Sequence, residues 1–317
     1  RVDAPSRRDA RPGRRRHCAA PAPPRVVRVD VARTSVAPRR ARPSRASTMR
    51  ATARATATAT ARADADAGGT YAFERETTVT RVAPRDDGGH EMTLASTIAH
   101  PAGGGQPSDS GRVVGANGRA WAFDAATRRR ETGEVAHAGR TKPPFEVGDA
   151  CRVTIDGAKR VLHARIHSAG HALDVAMIRA GLPPTTLTPT KGVHEPALAY
   201  VEYKGKVDPE HELADANALM ARLNAEMAKL IAEDGASAAA EMTYDEAKAA
   251  CGGELPAFIA PDMTPRIVTI VPDTPGCPCG GTHVARMSEI QDFKMTGVRV
   301  KKGVTRLSYA IPGMATW

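Results

Sequence analysis

Between residues 71 and 155 the chain alternates short apolar–polar runs with Gly, Asp and Pro turns, the period-two pattern of strands. Strands are predicted over 77–82, 91–98, 112–114, 119–123 and 151–155, a spacing that suits a small barrel or sandwich. The period then changes. Apolar residues recur at Ile166, Ala169, Leu173, Ala176 and Met177, which predicts a helix over 160–180 stopped by Gly181 and the pair Pro183-Pro184. A strand over 199–203 precedes a second amphipathic helix over 209–233, with Leu213, Leu219, Leu223, Met227 and Leu230 facing inward and Gly235 after it. Another strand is predicted over 266–271. The runs 293–300 and 305–310 form a terminal hairpin around Lys301-Lys302-Gly303. The outline is a β part followed by an α+β part.

Composition changes this picture at one end only. Residues 1–66 hold Arg, Ala, Pro, Ser and Thr with hardly any apolar side chain larger than Val, too little to offset the entropy of ordering. From Met49 the stretch is rich in Arg, Ala and Thr, the composition of an organelle transit peptide, and residues before Met49 are expected to lie upstream of the true start. A polybasic RNA-binding tail is the alternative. The net charge of +10 belongs to this segment: 17 of the 45 basic and three of the 35 acidic residues lie in 1–62. The remaining chain carries 28 basic against 32 acidic residues, so RNA contact there must rest on local patches. The candidates are Lys294, Arg299, Lys301, Lys302 and Arg306 on the hairpin, and Arg128-Arg129-Arg130 in the β part. No run reaches the roughly 18 apolar residues of a membrane span, and five Cys are too few and too irregular for a disulfide framework.

Two short patterns carry chemistry. His167 and His171 stand four apart on the predicted helix, so both imidazoles reach from one face, with His163 one turn earlier. No Glu follows His167, which excludes the zinc-protease pattern. Cys279 and His283 repeat the four-residue spacing around Gly280-Gly281, which permits a tight turn. Either pair alone reads as surface or core residues. Together they form a borderline-soft N/S set suited to zinc, with Cys277 as a possible competing thiolate. A third feature, Gly103-Gly104-Gly105-Gln106-Pro107-Ser108, implies a loop where a ligand or another backbone comes close. It fits neither a P-loop nor a dinucleotide fingerprint, and no ATP site is visible.

In this order, the His167–His171 motif, Cys279-Gly280-Gly281-Thr282-His283-Val284 and the Gly-rich loop resemble the editing half of alanyl-tRNA synthetase, shared with threonyl-tRNA synthetase. They resemble more closely the free-standing AlaX-type trans-editing proteins. Lys191-Gly192-Val193-His194-Glu195-Pro196, Tyr200-Val201-Glu202-Tyr203 and Ser288-Glu289-Ile290 extend the likeness over roughly residues 71–312, without room for an aminoacylation core. The resemblance implies an α+β fold: a translation-factor-like β-barrel over 69–158 bearing the Gly-rich loop, and a zinc-binding α+β editing domain over 159–317. It implies zinc held by His167, His171, Cys279 and His283. It also implies hydrolysis of mischarged Ser-tRNA(Ala) or Gly-tRNA(Ala) at the tRNA acceptor end. The composition of 1–68 makes that stretch a disordered targeting segment, with a plastid or mitochondrion as destination, or the cytoplasm if the leader reading fails. Gln106, Ser108 and His194 are the catalytic candidates. Gly103, Gly104, Gly105, Lys301 and Lys302 are the substrate-binding candidates. One departure is Gly170, where the synthetase pattern usually has Thr. A non-catalytic tRNA-binding protein with a structural zinc is the competing expectation.

Overall fold

The computed structural model describes residues 67–317. The expected targeting segment falls outside them, save its last residues. The first part holds seven strands: β1 (Glu74–Pro84), β2 (His90–Leu94), β3 (Gly111–Gly115), β4 (Ala120–Phe123), β5 (Ala125–Arg128), β6 (Val135–Gly139) and β7 (Ala150–Ile155). All pair antiparallel in the order β4-β3-β7-β1-β2-β6-β5. A register shift between Val79 and Arg81 divides β1, whose first half pairs with β7 and whose second half pairs with β2. The two outermost strands are separated only by Asp124, so the sheet has to curl until its ends approach. No β4–β5 ladder closes it. The expected closed barrel is not seen: the strands form an open antiparallel series among the described residues. Its core gathers Val79, Met92, Val113, Trp121, Phe123 and Val153. The sequence pattern missed β5 and β6, short strands rich in Ala that lack the β-branched signature.

Helix α1 (Gly157–Arg179) begins where the Asp156 carboxylate accepts from the Lys159 amide at 3.1 Å. It is buried on more than one side, its stripe Ile166, Leu173 and Met177 entering the second core. After β8 (Thr188–Glu195) and β9 (Leu198–Lys204), helix α2 (Ala216–Glu233) starts at Asp215, whose side chain accepts from Asn217 N and Ala218 N. That cap puts the helix start seven residues beyond the predicted 209. Its inward residues Leu219, Leu223, Met227 and Leu230 are fully buried, worth roughly 1.5–3 kcal/mol each by transfer. The remaining elements are β10 (Ala238–Glu241), α3 (Tyr244–Ala250), β11 (Arg266–Thr269), β12 (Cys277–Pro278), a 3₁₀ turn (Met287–Ile290), β13 (Lys294–Lys301) and β14 (Val304–Ala310). A four-stranded antiparallel sheet, β13-β14-β9-β8, and a small sheet, β10-β11-β12, complete a mixed α+β fold.

One buried ion pair ties the curled sheet to α1. Arg160, on the first turn of α1, meets both oxygens of Asp109 through Nε at 3.1 Å, and the pair is 1% exposed on each side. The guanidinium also donates to Gly69 O and Ile98 O. Asp109 in turn accepts from His100 N at 2.6 Å, while Asp109 N donates to His100 O at 2.9 Å. The two ends of the Gly-rich loop are thus pinned together and held against α1. Just ahead of the first part, Gly69 and Thr70 are buried, and the Thr70 hydroxyl donates to His283 O.

Candidate metal centre and adjoining cavity

The 23 residues of α1 bring His167 and His171 to the side facing the Cys279–His283 turn. That turn is held by Arg266, whose Nη1 donates to Cys279 O at 2.7 Å and Gly281 O at 3.2 Å. His167, His171, Cys279 and His283 converge, with one potential ligand atom from each lying within 4.8 Å of the others. His167 Nε2 stands 3.3 Å from His171 Nε2 and 3.6 Å from Cys279 Sγ, and Cys279 Sγ stands 3.4 Å from His283 Nε2. These match the edges of a tetrahedron around an ion with bonds of about 2.0–2.1 Å to N and about 2.3 Å to S. Cys277, the possible rival thiolate, lies outside this group, with its Sγ toward Pro278 O. His163 is buried on the same helix but is likewise not a member.

The surroundings orient the rings as a metal requires. Gln106 Oε1 accepts from Thr282 N at 3.0 Å, which fixes the amide, and so its other partner, His167 Nδ1 at 2.7 Å, carries the proton. His167 Nε2 is left as a lone pair aimed into the group. Gln106 Nε2 donates to Thr282 Oγ1 at 2.8 Å. His283 Nδ1 has Ser168 Oγ at 3.2 Å, and that oxygen accepts from Val284 N, so His283 Nε2 also faces inward. Burial, followed by the neighbouring imidazoles, holds His167 well below the ordinary histidine pKa. Burial likewise depresses His283 well below that value and lowers His171 to about 4. All three are therefore neutral at neutral pH, the form that could bind a metal. A Cβ at Gly281 would overlap the His167 ring and stand 2.8 Å from Gln106 Oε1, so the turn admits only glycine there. The donor set and its cradle fit a zinc ion.

The Gly-rich loop is a tight turn. Gly103 and Gln106 exchange backbone hydrogen bonds at 3.0 and 3.1 Å, and Gly104 and Gly105 have φ of +59° and +80°, the pattern of a type I′ turn. Gly105 O accepts from His194 N at 2.8 Å, which brings β8 onto the loop. Here a cavity of about 560 Å³ opens between the loop, α1, β8 and the turn at 277–280. His194 lines it, stacked on His167 with ring centroids 4.5 Å apart. Tyr309 Oη donates to Ile166 O at 2.9 Å and so receives the proton of His194 Nδ1 at 2.7 Å. A Cβ at Gly170 would come within 2.8 Å of His194 Nδ1 and 2.9 Å of Tyr309 Oη. His194 fills the space a Thr at position 170 would need.

The other candidates fall at varied distances from this centre. Gln106 is 2% exposed and sits behind His167 rather than on the cavity wall, and Ser108 is half-buried farther along the loop. Gly104 and Gly105 line the cavity and Gly103 does not. Lys301 and Lys302 are exposed at the β13–β14 turn, away from the cavity lining, as Lys294 and Arg299 are exposed along β13. Arg306 pairs with Glu202 and stacks over Tyr200. In the other patch, Arg129 pairs with Glu91 and Arg128 donates to Gly133 O. Sequence reasoning passed over Asp174 and Lys191 as cavity residues, and Thr282 as the partner of Gln106. For Asp174 the signal was available, since it lies three residues after His171 on one helix face.

Comparison with known proteins agrees with this assembly. Residues 266–308 match the threonyl and alanyl tRNA synthetase second additional domain, a window that contains Cys279, His283 and most of the terminal hairpin. The chain is 30% identical over 248 residues to the alanine–tRNA ligase of Halobacterium salinarum, covering 76% of this chain and 25% of the ligase. It is 31% identical over 229 residues to that of Synechococcus sp., with 68% and 23% covered. Alanine–tRNA ligase 1 of Lachnoclostridium phytofermentans is 30% identical over 237 residues, with 73% and 25% covered. The chain spans about a quarter of the length of these relatives. No helix among the described residues is long and apolar enough to cross a membrane. The order of the motifs, the matched domain and the likeness over most of the chain together identify this protein as carrying an AlaX-like editing domain, related to that of alanyl-tRNA synthetase.

Proposed function

We propose that the protein is a trans-editing hydrolase that removes the wrong amino acid, Ser or Gly, from mischarged tRNA(Ala). The observation that carries this reading is the convergence of four N/S donors, three of which, His167, His171 and Cys279, line a cavity. A synthetase pocket built for Ala rejects Gly or Ser weakly, because one small group changes binding by roughly 1–3 kcal/mol, so a second, hydrolytic site is needed. His167, His171, Cys279 and His283 would hold zinc, which when bound would polarise the ester carbonyl or acidify a water. The chain's own residues do the positioning. Gln106 holds His167 in the Nδ1–H form, and the Tyr309 relay presents His194 Nε2 as an acceptor toward the bound ester. The turn at Gly104–Gly105 walls the cavity opposite α1. Lys191 at the rim and Lys301 and Lys302 on the hairpin supply cations for the tRNA acceptor end.

In this reading residues 69–158 and 159–317 are the two domains, the first a barrel-derived wall for the second. The segment before Gly69 directs the protein to a plastid or mitochondrion, with cleavage ahead of the buried Gly69 and Thr70. Four protein ligands can also close a tetrahedral ion, the arrangement of structural zinc. That favours, as the second reading, a tRNA-binding protein without turnover. Deacylation of Ser-, Gly- and Ala-tRNA(Ala), with and without chelator, separates the two. Chelator-sensitive release of Ser or Gly, with Ala spared, supports editing. A zinc-loaded protein that binds tRNA(Ala) and releases nothing supports the second reading.

A further inference from the structure

The cavity wall contains one carboxylate, Asp174, whose partner situation is incomplete. Tyr203 Oη donates to Asp174 Oδ1 at 2.6 Å, and among the described residues this is the one hydrogen bond the carboxylate accepts. Among the described residues, no ion pair joins it to a Lys, Arg or His. Burial pushes its pKa up to about 7, against the lowering effect of the Tyr203 hydrogen bond. A carboxylate so placed is costly unless a cation meets it. Its position is specific as well. Asp174 follows His171 by three residues on α1, which sets their Cβ atoms about 5–6 Å apart, and both line the same cavity. The imidazole of His194, which burial keeps neutral, lines the same cavity. The cavity therefore has a metal-ligand floor and one anionic wall a single helical turn away. An aminoacyl ester carries an ammonium group on the carbon next to the carbonyl that is to be attacked. The metal-type donors and the carboxylate thus line one cavity, where the carbonyl and the ammonium of such a group can be met together.

We infer that Asp174, held by Tyr203, is the binding site for the α-ammonium of the aminoacyl group, so that the cavity selects esters of free amino acids. This rests on the editing reading for the identity of the ester but is tested by binding alone. The probes are 3′-deoxy-3′-(serylamino)adenosine, an amide that cannot be turned over as an ester, and its N-acetyl derivative. Each is titrated calorimetrically into the whole chain. The unmodified protein should bind the free amine about tenfold or more tighter than the acetylated probe, the scale of one charge-assisted hydrogen bond. Asp174→Asn keeps the shape and the Tyr203 contact and should abolish that preference by weakening the free amine alone. Metal content should stay unchanged and the melting temperature should not fall, since a buried charge has been removed. Tyr203→Phe, which frees the carboxylate to move, should lose part of the preference.

Retention of the full preference in Asp174→Asn would overturn the inference. So would an equal loss for both probes, which would make Asp174 a shape element, and so would absence of binding of either probe to the unmodified protein. A protein that prefers the free amine yet leaves Ser-tRNA(Ala) intact would retain the ammonium site and lose the hydrolase reading.

Discussion

Gln106 offers the sharpest test of how the Gly-rich loop acts on the metal group from the other core. Replacing it with Leu keeps the volume and removes both ends of the amide. His167 Nδ1–H and Thr282 N then lose the same acceptor, at 2.7 and 3.0 Å, and Thr282 Oγ1 loses a donor. Gln106 and Thr282 are each 2% exposed and His167 is 1% exposed, so water cannot readily replace the amide. Two stranded buried donors at about 1–3 kcal/mol each, relieved in part by local movement, predict a loss of about 2–4 kcal/mol. For an ordered region of this size that is a fall in melting temperature on the order of 10 °C. Loss of the orienting acceptor should weaken zinc binding by about 10–100-fold. Gln106→Glu retains an oxygen for both N–H groups, and Thr282 Oγ1 can reverse its role and donate. It should therefore keep zinc affinity within a few-fold, the added charge favouring the ion. The assay is competition for zinc against a chromophoric chelator, beside thermal melts of all three proteins. Unchanged zinc affinity in Gln106→Leu would refute the claim that this residue orients His167. Equal loss in both variants would refute the claim that the acceptor oxygen is what matters.

Purified protein should carry about one zinc per chain, and His171→Ala or Cys279→Ala should remove it; metal-free protein with full deacylase activity would sink that assignment. Gly170→Thr should cost about 1–3 kcal/mol because its Cβ overlaps the His194 ring, and most of that cost should vanish in a His194→Ala background; an additive double-mutant cycle by urea denaturation would contradict the packing argument. Replacing Asp109 with Asn strands the Arg160 guanidinium at 1% exposure and should destabilise by about 3–5 kcal/mol, measured by the shift in urea midpoint, with a shift under a third of that counting against it. His137, buried between Phe123, Met92 O and Thr97 Oγ1, is lowered to about 4 by desolvation. Below the unfolded value near 6.5 only the unfolded chain takes this proton, so stability falls as pH drops from about 6.5 to 4, by up to about 3 kcal/mol. His137→Gln should remove close to one proton from that slope, and an unchanged slope would show that the ring is already charged in the fold.

What the linear chain determined is the part of the protein written in local periods. The α1 stripe from Ile166 to Met177, the inward row of α2 and the terminal hairpin follow from apolar spacing, because each element buries one face. The zinc-type set was legible for a related reason: four-residue spacing stacks His167 with His171, and the glycine turn folds Cys279 toward His283. The start of α2 was misread because Pro209 and the apolar Leu213 imitate a first turn, whereas the Asp215 carboxylate is what satisfies the free amides. Strands β5, β6 and β8 lacked a pattern, since Ala, Thr and Gly carry little side chain by which to declare a buried face.

Tertiary structure alone decided the roles within the site. Gln106 lies 61 residues from His167 in sequence, and its task as the ring's hydrogen-bond acceptor exists only because the Asp109–Arg160 pair presses the loop onto α1. Gly170 was read as the absence of a hydroxyl. In the fold it is the presence of His194, which the β8–β9 pairing and Tyr309 carry into that space. Asp174 gained its meaning in the same way, through Tyr203 on a neighbouring strand and a cavity formed by five separate segments. Spacing along one helix or one turn can bring two ligands together, but a wall, an orienting partner and an excluded side chain each need a second segment whose approach no local pattern encodes.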